Sequence, residues 1–359
     1  MRVRSVLVVG NLSATSTSRH ESSFGAAGSP IACVEVLGKS VLERTILQLH
    51  DAGIRDITVV AGKSLGLRGS GASLDAKLRL TGERIDCAAR EALRDCMRQD
   101  AGQVVLMEVG FYAEVDFLRL LDGHHVSGQT ITHCRDARGA LPLWVLDSGS
   151  AGEEALRRID IRAEDDSCDE PCSVYEIRGY VKRLNGAHDL RQLAIDALLT
   201  RSAIRPGGRE VRAGVWIDTG ARVHRSARIV APAYIGRYAR VGQQSLITRC
   251  STVEAHCSIG SGAAVEDASI LADTLVGADL DLRHAVVDGN KITDLARDIA
   301  FSVDESDWIR SQRPMQPARD EGRSPSFAGE LFPSRLGFDY SRYLARTAGL
   351  VSDVFKGFA

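Results

Sequence analysis

Residues 217–271 read IDTGAR VHRSAR IVAPAY IGRYAR VGQQSL ITRCST VEAHCS IGSGAA VEDASI L in successive blocks of six. Each block opens on an aliphatic residue: Ile217, Val223, Ile229, Ile235, Val241, Ile247, Val253, Ile259, Val265 and Leu271. Two places before each of the last nine stands a small residue: Ala221, Ala227, Ala233, Ala239, Ser245, Ser251, Cys257, Ala263 and Ser269. An amphipathic helix would repeat at about 3.6 residues and a half-buried strand at about 2, so a period of six calls for another shape. A parallel β-helix with three flat faces supplies it. Each face takes one hexad, the aliphatic side chain points inward, the small one fits the tight corner, and about 18 residues complete a coil. Beyond Leu271 the register is expected to fail at Gly277, with Val276 and Leu282 giving one further step before Asn290 ends it.

Upstream the grammar changes. Residues 5–9, 57–61 and 104–107 are short β-branched runs bounded by turn chemistry, the first two ending at Gly10 and Gly62. Between the first two lies a helix: Ser40 with Glu43 three residues on forms a capping box, Val41, Leu42, Thr45, Ile46 and Leu49 form an apolar stripe, and Gly53 follows as a C-terminal stop. Residues 86–99 and 115–121 also read as helices, with a strand at 130–133. Strands alternating with helices imply parallel pairing through crossovers. The organisation expected is therefore an α/β domain over 1–190, the β-helix over 191–300, and an extended, proline-containing tail over 301–359. The tail is expected to end in an amphipathic helix from Ser341 that docks on the body or on a subunit neighbour.

The chain has 359 residues, 45 Lys plus Arg, 47 Asp plus Glu, and a formal net charge of -2. Near-neutrality argues against nucleic acid or anionic lipid as partners, since such affinity scales with clustered cations. The apolar run Val6–Val9 is shorter than a signal peptide's h-region, and no apolar run approaches the ~20 residues of a spanning helix. A cytoplasmic protein is expected, without membrane contact through the C-terminal helix. Its eight cysteines then read as reduced thiols. Cys168 and Cys172, the nearest pair, lack a second His or Cys pair, so no structural metal is expected.

The segment Val34-Glu-Val-Leu-Gly-Lys-Ser-Val-Leu-Glu-Arg-Thr-Ile46, followed by Leu49, Ala52-Gly-Ile54 and Ile57-Thr-Val-Val60, resembles the sugar-nucleotide pyrophosphorylases. In that family a V-x-G-K-P turn leads into the first long helix, and a hexapeptide β-helix often follows the α/β domain. The resemblance implies a Rossmann-like (GT-A-like) nucleotidyltransferase domain, then a left-handed parallel β-helix. It also implies attack of a sugar 1-phosphate on a nucleotide α-phosphate, assisted by a glycine-rich phosphate loop, a lysine and Mg²⁺ on carboxylates.

Position by position, that chemistry is missing. The loop after the first strand, Gly10-Asn-Leu-Ser-Ala-Thr-Ser-Thr-Ser-Arg19, holds one glycine and a displaced arginine where the family has G-G-x-G-T-R. The family's lysine falls on Ile31, and its two metal carboxylates fall on Phe111 and Arg183. Each such group is worth several kcal/mol of transition-state stabilisation, so their joint loss argues against the ordinary reaction.

The resemblance thus implies a family member with eroded catalysis, acting as a binding or assembly subunit in polysaccharide precursor metabolism. It would be a homo-oligomer or the partner of an active paralogue. Substrate-binding candidates, for a nucleotide or sugar phosphate, are Gly10, Asn11, Leu12, Lys39 and Gly110; no catalytic residue, metal ligand or resident cofactor is assigned. Two alternatives stand. An active nucleotidyltransferase would hold Mg²⁺ on relocated carboxylates such as Glu108, Glu114 or Asp116. A hexapeptide acyltransferase would use His224, His256 or His284 as general base, although His224 and His256 are expected to face outward.

Overall fold

The computed structural model describes residues 3–10, 30–62, 76–81, 85–98, 102–148, 173–303 and 309–311. The described residues belong to one compact unit within 1–312; residues 313–359, with the expected C-terminal helix, lie outside the described residues. So do Asn11, Leu12, Cys168 and Cys172. The described fold is a mixed α/β one, built on parallel sheets with few helices.

Its first half is a seven-stranded sheet. β1 (Val3–Val9) is an interior strand, third from one edge, parallel to β4 (Asp56–Gly62) on one side and to β6 (Gln103–Glu108) on the other. Beyond β4 lies β5 (Lys77–Thr81), and beyond β6 come β9 (Gly139–Asp147), β8 (Ile131–Asp136) and β10 (Ser173–Glu176). The alternation of strands and helices led to the expectation of parallel pairing throughout, and β9 departs from it, running antiparallel to both β6 and β8. Only Ala137 and Arg138 separate β8 from β9, and a two-residue hairpin can join strands only antiparallel.

Helix α1 (Val41–Asp51) starts at the expected capping box: Glu43 N donates to Ser40 Oγ at 3.2 Å, and Ser40 N donates to the Glu43 carboxylate at 2.7 Å. The helix buries its apolar stripe against one face of the sheet. Helix α2 (Ile85–Arg98) covers the opposite face, over Val6, Val8, Val60, Val104 and Leu106. Before α1 the short strands β2 (Glu35–Val36) and β3 (Lys39–Ser40) form a hairpin. After β6 come β7 (Phe111–Ala113) and α3 (Phe117–Ser127), and after β10 come β11 (Val181–Arg183), which pairs antiparallel with β7, and α4 (Ala187–Leu198). The position 190/191 lies inside α4.

From Val215 the chain winds round three parallel sheets. Successive strands of the first face are Val215–Ile217, Ala233–Ile235, Thr252–Val253, Ser269–Ile270 and Ala285–Asp288. Ile217 pairs with Ile235 and Ile235 with Val253, each a step of 18 residues, and these aliphatic side chains fill the coil core with the small residues at the corners. Buried serines are tolerated there because Ser245 and Ser251 donate to corner carbonyls of Gly242 and Thr248.

The register departs from expectation at the tenth hexad. Val253 pairs with Ile270, not Leu271, and the small core residue is Ala268. The turn between the third face and the first shrinks from the pair Arg249–Cys250 to the single residue Asp267, with φ +49°. Later steps keep this 17-residue offset, Ile259 to Val276 and Val265 to Leu282, so the slip lies at Asp267 and not at Gly277. The expected start of the tail is also corrected. Strands Ile299–Ser302 and Ile309–Ser311 close the coil by antiparallel pairing, because Ile309 is an apolar side chain that reaches the coil core. Among the described residues no helix is long and apolar enough to cross a membrane.

Candidate functional site

The order β4–β1–β6 makes a switch point: the chain leaves β1 for β4 on one side and returns to β6 on the other. In open α/β sheets, ligand crevices lie outside the carboxyl ends of the strands at such a point. Gly10 follows β1 at that edge and Gly110 follows β6, with Val109 N donating to Val8 O at 2.8 Å to hold the two strand ends together. Gly10 has φ +130°, a conformation that strains any residue with a Cβ, and a Cβ there would also push against the tip of the Ile85 side chain, 2.6 Å away at the start of α2. At Gly110 a Cβ would meet nothing within 4 Å. The structure thus brings two of the expected binding residues to one edge.

Beside them, β7 and β11 pair so that Phe111 stands directly opposite Arg183, and Leu184 N donates to Gly110 O at 2.9 Å. These are the two positions at which the family resemblance requires metal carboxylates. Opposed residues in an antiparallel pair share a face. Here Phe111 is packed into the main core, while Arg183 makes a bidentate pair with Asp136 at 2.7 and 3.0 Å and donates to Ala140 O. That guanidinium holds the Asp136 carboxyl below the usual range against the opposing effect of burial. Mg²⁺ as the resemblance implies it does not fit this donor set. Ile31 lies in a 3₁₀ turn, Ile31–Cys33, against the same core. Glu114 and Asp116 are engaged locally: Glu114 accepts from Ala203 N, and Asp116 caps α3 by accepting from Arg119 N at 3.1 Å. Glu108 ends β6, half-buried. Among the described residues no three His, Cys, Asp or Glu side chains converge as a metal site.

Lys39 sits, exposed, on a turn that the coil occupies. Leu37, at φ +54°, and Gly38, at φ +85°, donate their N–H groups to the two oxygens of Glu254, at 2.8 and 3.0 Å. Around this joint Arg237 pairs with Glu35 at 2.8 Å, and Arg44 donates to Val36 O at 2.7 Å. Tyr234 O–H donates to Asp218 at 3.3 Å, against Gly38. Burial pushes Glu254 up to about 8, opposed by its two N–H donors. It pushes Glu35 up to about 7, opposed by Arg237. Glu35 Oε2 and Arg44 Nε are buried with no hydrogen-bond partner among the described residues. Sequence reasoning missed this joint. Its one local signal is a carboxylate at Glu254 immediately after inward Val253, where the neighbouring coils carry Gly236 and Leu271.

The three coil histidines do not converge. His224 bonds Ser226 at 2.8 Å, His256 stacks on Tyr238 at a centroid distance of 5.2 Å, and His284 pairs with Asp267 at 2.6 Å. His224 and His256 are exposed, His284 half-buried. No protein-family model matches this chain, and no curated protein does.

Proposed function

We propose that this chain is a sugar-nucleotide pyrophosphorylase-like protein that has lost nucleotidyl transfer and serves as a binding or assembly subunit. Its α/β part would be GT-A-like and its coil a left-handed β-helix. The observation that carries the reading is the pairing of Phe111 with Arg183. Positions aligned separately, 72 residues apart, fall opposite each other beside the switch-point edge, as the resemblance requires of two ligands of one metal. Yet one holds an apolar side chain and the other a cation already engaged by Asp136. A place survives where the chemistry does not. Gly10 and Gly110 at that edge support retained binding of a nucleotide or sugar phosphate. The six described cysteines, all free thiols, support a reducing, cytoplasmic setting.

Two measurements test this. Mg²⁺-dependent pyrophosphate release, assayed over nucleoside triphosphates and sugar 1-phosphates, should stay at background; turnover at a rate typical of enzymes would overturn the loss of catalysis. Thermal shift with nucleotides and sugar phosphates should show stabilisation by at least one of them, since a native-state ligand adds RT ln(1 + [L]/Kd). No shift with any would restrict the role to assembly.

A further inference from the structure

The near-neutral net charge conceals a segregation along the coil. In the coil and the strands that flank its two ends, residues 209–249 hold eight arginines against Glu210 and Asp218, whereas residues 266–298 hold eight Asp and Glu against Arg283, Lys291 and Arg297. The first coils are therefore basic and the last acidic, which gives the coil a charge dipole along its axis. The two acids of the basic half offer its arginines little. Glu210 accepts from Gly214 N, and Asp218 accepts from Tyr234 and from Thr219 N.

The third face carries this polarity in a single column. Arg228 pairs in register with Leu246, Leu246 with Ala264, and Ala264 with Asp281. All four precede an inward residue (Ile229, Ile247, Val265, Leu282) and so point outward. Arg228 is exposed and has no ion-pair partner among the described residues. Asp281 remains 42% exposed although it pairs with Arg283 at 2.8 Å. Read from either end, the order cation, apolar, apolar, anion is complementary to its own reverse.

We propose that this third face docks a second copy of the chain about a two-fold axis perpendicular to the coil axis, so that the two coils lie antiparallel. Arg228 of each copy then meets Asp281 of the other, and Leu246 meets Ala264. The coil ends are poorer surfaces for stacking. Arg222, Arg225 and Arg228 surround the first coil with like charge, which repels a second first coil. At the other end, antiparallel strands Lys291–Asp294, Ile299–Ser302 and Ile309–Ser311 already cover the first two faces. Isologous pairing of this kind closes at two copies. The inference does not depend on the family reading.

Sedimentation equilibrium of the full chain at about 50 mM and 500 mM salt tests it. A dimer is expected at low salt and should weaken at high salt, since exposed ion pairs are screened. Arg228→Glu alone and Asp281→Arg alone should each weaken it roughly tenfold or more, because both ion contacts of the symmetric pair turn repulsive. Mixing the two variants should restore dimerisation: Glu at 228 of one copy meets Arg at 281 of the other, and native Asp281 meets native Arg228. A monomer at every concentration and salt would overturn the proposal. So would an oligomer indifferent to both reversals, or single variants whose mixture fails to recover. Circular dichroism on each variant separates loss of association from loss of fold.

Discussion

Glu254 differs from an ordinary surface carboxylate in that its side chain is buried and both its oxygens accept from the backbone of a turn 216 or 217 residues distant. That turn holds non-glycine Leu37 at positive φ, a conformation persisting only where the surroundings enforce it. Glu254→Ala would leave two buried N–H groups unpaired, at a cost of about 1–3 kcal/mol each. Chemical denaturation should show a loss of about 2–5 kcal/mol; a loss under about 1 kcal/mol would mean the turn holds its shape unaided. Burial raises Glu254, to about 8, with Glu35 adding to it against the two backbone N–H donors and Arg44, and raises Glu35, to about 7, with Glu43 and Asp273 adding to it against Arg237. Between their ordinary value of 4.5 and these raised values the folded protein keeps protons that the unfolded chain has released. Stability from this source is complete below pH 4.5 and is lost as pH rises through 7 to 8. The melting temperature should therefore fall between about pH 5.5 and 8.5, and fall less in Glu254→Gln. A melting temperature that rises over that interval would contradict the protonated joint.

Helix α4 grips the Asp267 corner of the coil through one side chain. Arg191, 3% exposed, donates to Asp267 at 2.8 Å, to Cys250 O at 2.8 Å, to Arg249 O at 3.1 Å and to Ser269 Oγ at 3.3 Å. It thus clasps the shortened corner where the coil loses a residue. Arg191→Met should destabilise by about 2–4 kcal/mol, because Asp267 and two carbonyls lose their donor. Urea denaturation checks this, and an unchanged midpoint would remove α4 from the coil's support. What the sequence made legible at this scale was what is local. The capping box of α1 joins residues three positions apart, and the inward hexad positions declare themselves without knowledge of partners. The slip at Asp267 was not legible because Ile270 and Leu271 are both aliphatic, so counting by six passes over the missing residue and lands on a plausible neighbour. Gly10 and Gly110 could be found as strand-end glycines, whereas the contacts that fix Lys39's turn come from the coil and leave no periodic trace near residue 39.

Across the molecule, the expected division near residue 190 meets a core that does not divide there. Leu7, Leu42 and Leu193 share one cluster with Tyr234, Leu271 and Val286, which belong to the coil. Glu254, the Arg237–Glu35 pair and Arg191 add polar ties between the same parts. A coil built of repeats can in general unfold by itself, since each repeat contacts mainly its neighbours. Here the first face of the coil completes the α/β core, so separating the parts would expose Tyr234, Leu37 and Val36, all now buried. Residues 1–312 should therefore melt in a single calorimetric transition, with calorimetric and van't Hoff enthalpies equal. Glu254→Ala or Arg191→Met should lower that transition as a whole, by roughly 2 °C per kcal/mol lost, rather than split it. Two resolved transitions in the unmodified protein, one insensitive to Glu254→Ala, would instead establish the coil as an independent folding unit.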